Sequence, residues 1–258
     1  MTFAEGALLV GAAALGGALN AVAGGGSFFT FPALVLAGVP AIPANATSTL
    51  ALWPGSLASA AAYRRELAGE RRRILPFGLA SLAGGVAGAW ILVRTPPRAF
   101  DVVVPFLMLI ATVLFAFGPR ITRRLWERSG RTSGPGSPLT GALVQLAIAI
   151  YGGYFGGGMG MMMLAAYSLL GMDDIHRMNG LKTLLAVAIN GVALATFVVA
   201  GVIHWHEGLV MTAGAMAGGY GAAAIARRLD PKRVRAFVTV VGVVITAIFF
   251  VRAFGPSR

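Results

Sequence analysis

Lys182 is the residue of this chain from which most chemistry follows. It sits about two turns inside an apolar segment, in Asn179-Gly180-Leu181-Lys182-Thr183, and is the only one of 21 lysines and arginines well inside such a run. An ammonium at membrane depth is costly unless an anion or a water-filled cavity meets it. Upstream stands Gly152-Gly153-Tyr154-Phe155-Gly156-Gly157-Gly158-Met159. Three successive glycines let the backbone leave the helix without a Cβ clash, so peptide N–H and C=O groups become available to a ligand.

The first half of the chain says the same thing. Asn20-Ala21-Val22-Ala23-Gly24-Gly25-Gly26-Ser27 is followed by an apolar run closing at Gly38 and then by Asn45-Ala46-Thr47-Ser48-Thr49. Gly24–Gly26 matches Gly156–Gly158 at an offset of 132, Gly38 matches Gly171 at 133, and Asn45 and Thr49 match Asn179 and Thr183 at 134. The donor-rich set this defines is Asn20, Gly25, Gly26, Ser27, Asn45, Thr47, Ser48 and Thr49 from the first half. From the second half come Gly157, Gly158, Asn179, Lys182, Thr183 and Asn190. Amides, hydroxyls and one ammonium suit an oxyanion. Taken singly, each Ser, Thr or Asn equally suits a hydrogen bond within or between helices, and Lys182 could snorkel to the interface.

Other chemistries lack their residues. There is no cysteine, hence no disulfide, thiolate metal site or thiol nucleophile. All nine carboxylates fall in loops or at segment ends, which argues against a mid-membrane acid pair and against an enzyme. His204, His206 and Glu207 read as interfacial residues beside Trp205 rather than as a metal cluster. No strand precedes the second glycine cluster and no Gly-Lys-Ser or Gly-Lys-Thr follows it, so it is not a nucleotide loop. The methionines at 159 and 161–163 read as packing. No cofactor is expected.

The elements that must hold these residues are membrane helices. Hydrophobic residues make up 57% and charged residues 12% of 258, more apolar than a soluble core of this size requires. Apolar segments fall at about 4–24, 27–38, 45–63, 74–93, 99–118, 139–156, 159–171, 178–201, 207–226 and 233–252. Most approach the roughly 20 residues that cross a bilayer, but the second of each half, at a 1.5 Å rise, reaches only about 18–20 Å. The net charge of +12 is not a nucleic-acid signature here, because the basic residues fall in short blocks between apolar runs. Blocks at 64–73, 120–131 and 227–235, with Arg177, gather sixteen of the 21 on one side, cytoplasmic by the positive-inside rule, with both termini outside. Five segments per half is odd, so the second half runs opposite to the first. The expectation is an all-α polytopic membrane protein of two inverted-topology repeats, each with a glycine-broken hairpin and a half-length second segment. The repeats would occupy 1–118 and 139–258, joined by a basic cytoplasmic linker at 119–138. The N-terminus has no basic stretch before its apolar run and reads as a retained first helix.

The two blocks and their spacing resemble the TauE/SafE family of bacterial membrane transporters, over essentially the whole chain. The resemblance rests on Asn20 to Gly26, Pro32, Asn45 to Thr49, Gly153 to Gly160, Asn179 to Thr183 and the basic linker. It implies a multi-pass protein of the bacterial inner membrane that exports a small sulfur-containing anion such as sulfite, a sulfonate or a related organic anion. Many relatives look to carry a lysine near the first asparagine block as well, where this chain has Thr47, Ser48 and Thr49. One cation remains. An anion channel of the same architecture and a non-transporting membrane subunit are the other readings open at this point, and a coupling ion and a homo-oligomer are left open too.

Overall fold

Residues 2–22, 25–63, 67, 70–129, 138–172, 174–225 and 231–255 are described by the computed structural model. Ten α-helices of ten residues or more follow one another: α1 (Phe3–Val22), α2 (Ser27–Leu36), α3 (Ala41–Ala62), α4 (Arg71–Arg94), α5 (Pro97–Ser129), α6 (Pro138–Tyr154), α7 (Met159–Leu169), α8 (Ile175–Val199), α9 (Trp205–Ile225) and α10 (Pro231–Phe254). Among the described residues there is no strand. Gly24, parts of the loops at 64–73 and 227–235, and the stretch 130–137 lie outside the described residues.

Every apolar segment is a helix, and the boundaries differ mainly at α5. That helix continues through residues expected to open the linker, because no glycine interrupts the chain between Gly118 and Gly130. Five helices are long and apolar enough to cross a membrane among the described residues, in α1, α4, α5, α8 and α10. The 22 residues of α3 are diluted by Asn45, Thr47, Ser48, Thr49 and Ser56, and those of α9 by glycines. Leu75, Leu79, Leu82, Val86 and Trp90 form an exposed apolar stripe on α4, and Val240, Val244 and Val251 do so on α10. Such outward faces belong in hydrocarbon. The chain is a multi-pass membrane protein.

The half-length second segments are shorter than their apolar runs: α2 has ten residues and α7 eleven. Both stop in the same way. Val39 donates its amide to the Leu34 carbonyl around Gly38, and Met172 donates to Tyr167 around Gly171, with φ +86 and +75 at the two glycines. Only a residue without Cβ takes that left-handed turn cheaply.

Small residues set the tightest joints. A Cβ on Gly17 would run into the Ala215 carbonyl and one on Gly218 into that of Ala14, so α1 and α9 meet backbone to backbone. A Cβ on Gly88 would strike Ile150, and one on Gly153 would strike Gly85, which joins α4 to α6 in the same fashion. Elsewhere α3 crosses α8, where Trp53 Nε1 donates to the Val187 carbonyl at 3.1 Å. Likewise α5 lies along α10, with the Thr112 and Thr246 hydroxyls 3.4 Å apart. Exchanging the first five helices for the last five converts the α1–α9 joint into the α6–α4 joint and leaves the α3–α8 and α5–α10 joints in place. The Trp53–Val187 and Thr112–Thr246 contacts each link residues 134 apart. That is the offset of Asn45 to Asn179.

Candidate functional site

The two glycine breaks and the Asn179–Thr183 turn come together. A cavity of about 220 Å³ is bounded by Asn20, Gly25, Ser27, Gly156, Gly158, Asn179, Lys182, Thr183 and Asn190 among others. It extends from the breaks to Tyr63 and Asn179, that is, to the end of the bundle where α3 meets α4 and α7 meets α8.

Local sequence explains how each group is aimed. Asn179 and Lys182 are three residues apart on α8 and so share a face. The Lys182 ammonium donates to Asn179 Oδ1 at 2.9 Å, while Asn179 Nδ2 donates to the Ile175 carbonyl at 2.9 Å. The Lys182 stem lies along Gly160, where a Cβ would stand 3.3 Å from its Cδ. Opposite, Asn20 on α1 donates to Ser56 Oγ on α3 at 3.0 Å, and Thr183 Oγ1 donates to the Asn179 carbonyl at 2.8 Å. The Asn190 amide and the Ser27 hydroxyl line the cavity and make no hydrogen bond among the described residues.

The glycines divide the work differently from the expectation. Gly25, Gly156 and Gly158 have φ of +98, +80 and +75, whereas Gly157, placed with Gly25 and Gly158 in the expected donor set, has no positive φ. Gly157 lies outside the cavity, and its carbonyl accepts from the Tyr151 hydroxyl at 2.5 Å. A Cβ there would still meet the Phe155 ring at 2.7 Å. The amides of Gly157 and Gly158 make no hydrogen bond among the described residues, at the N-terminus of α7 where the helix dipole is positive.

Electrostatically the cavity is one-sided. Among the described residues no carboxylate lines it, and Lys182 is in no ion pair. At the same end Glu70 is buried, and it is engaged by Arg73 at 2.9 Å and Arg177 at 3.8 Å. Asp174 caps α8, accepting from the amides of His176 and Arg177 at 2.8 and 3.2 Å. The Arg177 and then the His176 backbone hydrogen bond hold its carboxyl below the usual carboxylate range.

The first asparagine block does not reach this cavity. Asn45 donates to the Tyr154 carbonyl at 3.1 Å, Ser48 pairs with Thr30 at 2.6 Å, and Thr49 donates to the Asn45 carbonyl at 3.0 Å. Thr47 accepts from the His204 amide at 3.0 Å. Gly26 is packed against Gly16 and also lies outside. Ser56, Ser59, Tyr63 and Phe115 line the cavity without having been singled out in the sequence. Ser56 had a legible signal: it precedes Asn190 by 134, the offset of Asn45 to Asn179. Near His204, which faces Glu207 at 3.8 Å, no group of three metal-ligating side chains occurs among the described residues.

Comparison with known proteins agrees with this architecture. The family model described as Sulfite exporter TauE/SafE matches residues 9–249. A probable membrane transporter protein of Haemophilus influenzae is 29% identical, over 89% of this chain and 88% of its own. Another from Sinorhizobium sp, ORF9, is 29% identical over 82% and 79%, and YfcA of Escherichia coli K12 is 25% identical over 91% and 86%. No solved structure matches. By a family match that spans nearly all of its length, the chain belongs to the sulfite exporter TauE/SafE family, and it is a membrane transporter rather than an enzyme.

Proposed function

We propose that this transporter is a secondary carrier that moves a small sulfur-containing anion, such as sulfite or a sulfonate, outward across the bacterial inner membrane, with Lys182 as its cationic ligand. The observation that carries this reading is a lysine on an internal cavity whose lining holds no carboxylate among the described residues. A partly buried ammonium with no acid partner among the described residues needs an exogenous anion or water to offset its desolvation. The Asn190 amide, the Ser27 hydroxyl and the α7 N-terminus supply further donors to the same space. Asn20, held by Ser56, forms the opposite wall.

The basic blocks at 64–73, 120–131 and 227–235 make the cavity's end of the bundle the cytoplasmic one, so this conformation accepts substrate from inside. Inverted repeats of five helices explain why helix joints and contact offsets recur on exchange of the halves. A carrier is favoured over an open channel because the cavity shares no lining residue with the one at the opposite end. The test is flux of sulfite and short alkanesulfonates from loaded proteoliposomes, with chloride as control. Selective, saturable flux driven by the anion gradient is expected. Unselective flux, or none for any of these anions, contradicts the reading.

A further inference from the structure

A second cavity, of about 370 Å³, lies at the other end of the bundle between the α2–α3 turn, the start of α5 and the end of α10. Gly38, Ile42, Asp101, Phe249 and Arg252 are on its wall. What separates it from the Lys182 cavity is the length of α2, whose N-terminal residue Ser27 lines one and whose Val35 lines the other. Eight residues of helix span only about 12 Å.

The face of α2 across that gap is aromatic. Phe28 packs edge-on against Phe115, which lines the Lys182 cavity, with ring centroids 5.9 Å apart. One turn on, Phe31 meets Phe155 edge-on at 5.7 Å and stacks on Phe249 at 5.5 Å. Phe155 adjoins Gly156 on the inner wall, and Phe249 is itself on the outer wall. Phe31 therefore bridges the two cavities, and it is fully buried. The nearby polar pair, Thr30 with Ser48, is satisfied within itself and by the Gly26 carbonyl. At the offset of 132 the corresponding residues of α7 are Gly160 and Met163, and Gly160 lies on the open cavity wall. Met163, at the position of Phe31, is buried as well, but Gly160 stands open to the cavity where α2 has the Phe28 ring.

We propose that Phe31 is the gate of the translocation path: packed between Phe155 and Phe249, it seals a dry passage whose far mouth is the cavity holding Arg252. Apolar constrictions of this kind block ions by excluding water, and a ring flip or a shift of α2 opens them. The proposal rests on the carrier reading of the Lys182 cavity, but its test needs no substrate.

The chain has no cysteine, so one can be introduced at Ala186, on the inner cavity wall, as a reporter. An impermeant thiol reagent is then applied to vesicles of each orientation. With Phe31 intact, Ala186→Cys should react from one face, and from the other at roughly a tenth of that rate or less, as for a minor open state. Adding Phe31→Ala should raise the slow face toward the fast one. Phe31→Leu keeps apolar bulk without the ring contacts and should shift the same way to a smaller extent, which covers poor accumulation of the alanine variant. One-faced labelling unchanged by either substitution, or equal labelling of both faces with Phe31 intact, overturns the gate. Were the gate lost while selective anion flux persisted, only this inference would fall. Loss of flux with the labelling pattern retained would instead remove the carrier reading.

Discussion

Asn190 and Lys182 differ in how much of their role the sequence disclosed. A lysine inside an apolar run stands out because its desolvation must be offset, and the residue does lie on an internal cavity with Asn179 beside it. Asn190 stands out less, since an asparagine in a membrane helix usually satisfies a neighbouring helix. Here it makes no hydrogen bond among the described residues and faces the cavity. Asn190→Leu should therefore raise KM for the anion roughly ten- to a hundredfold, a hydrogen bond to a charged group being worth about 1.5–3 kcal/mol, with folded protein unchanged. Proteoliposome flux measured against substrate concentration checks this. Asn45 and Thr49 were indistinguishable from Asn179 and Thr183 by type and spacing, and Thr47 and Ser48 were equally plausible donors. What separates them is position relative to the bundle's two ends: Asn45, Thr47 and Ser48 are consumed by contacts with Tyr154, His204 and Thr30, and the Thr49 hydroxyl by the Asn45 carbonyl. No local sequence property encodes that difference.

At the scale of elements, broken helices could be read directly, because a triple glycine before a short apolar run has few other uses. Which glycine bears the strain could not. Gly156 and Gly158 take the left-handed turn and Gly157 does not, a division that three identical residues in a row cannot disclose. Gly158→Val is expected to cost about 1–3 kcal/mol of backbone strain, and its Cβ would also stand 3.1 Å from the Ala111 backbone. Thermal unfolding in detergent should fall, and flux should fall with it. The Asp174 cap of α8 gives a second test. Its depressed carboxyl pKa means that its contribution is fully present above the unfolded value and is lost as pH falls through the folded one. Asp174→Ala should lower the unfolding temperature at neutral pH and make no difference in acid. The extension of α5 to Ser129 was missed because charge was read as loop, although arginine and leucine are good helix formers.

For the molecule as a whole, composition and segment lengths were enough for an all-α membrane protein, and the basic blocks supply the proposed orientation. The pairing of α1 with α9 and of α4 with α6 was written in small residues such as Gly84, Gly88, Gly214 and Gly218. Their partners could not be named from the sequence, because glycine marks a close approach without specifying what approaches. Orientation is testable through residue 133, in the stretch between α5 and α6. Ser133→Cys should resist an impermeant thiol reagent in intact cells and react after permeabilisation. Labelling in intact cells would invert the topology and with it the side from which the Lys182 cavity loads.

Everything functional converges on one ammonium, and Lys182→Met tests it most directly, because methionine retains most of the stem's packing along Gly160 while deleting the charge. The measurement is anion flux in proteoliposomes at matched amounts of folded protein, with Lys182→Arg alongside. Binding by Lys182 predicts that the methionine variant accumulates normally but loses nearly all sulfite or sulfonate flux, and that arginine restores part of it. A Lys182→Met protein that carries the same anions at the full rate and with unchanged selectivity would contradict the assignment.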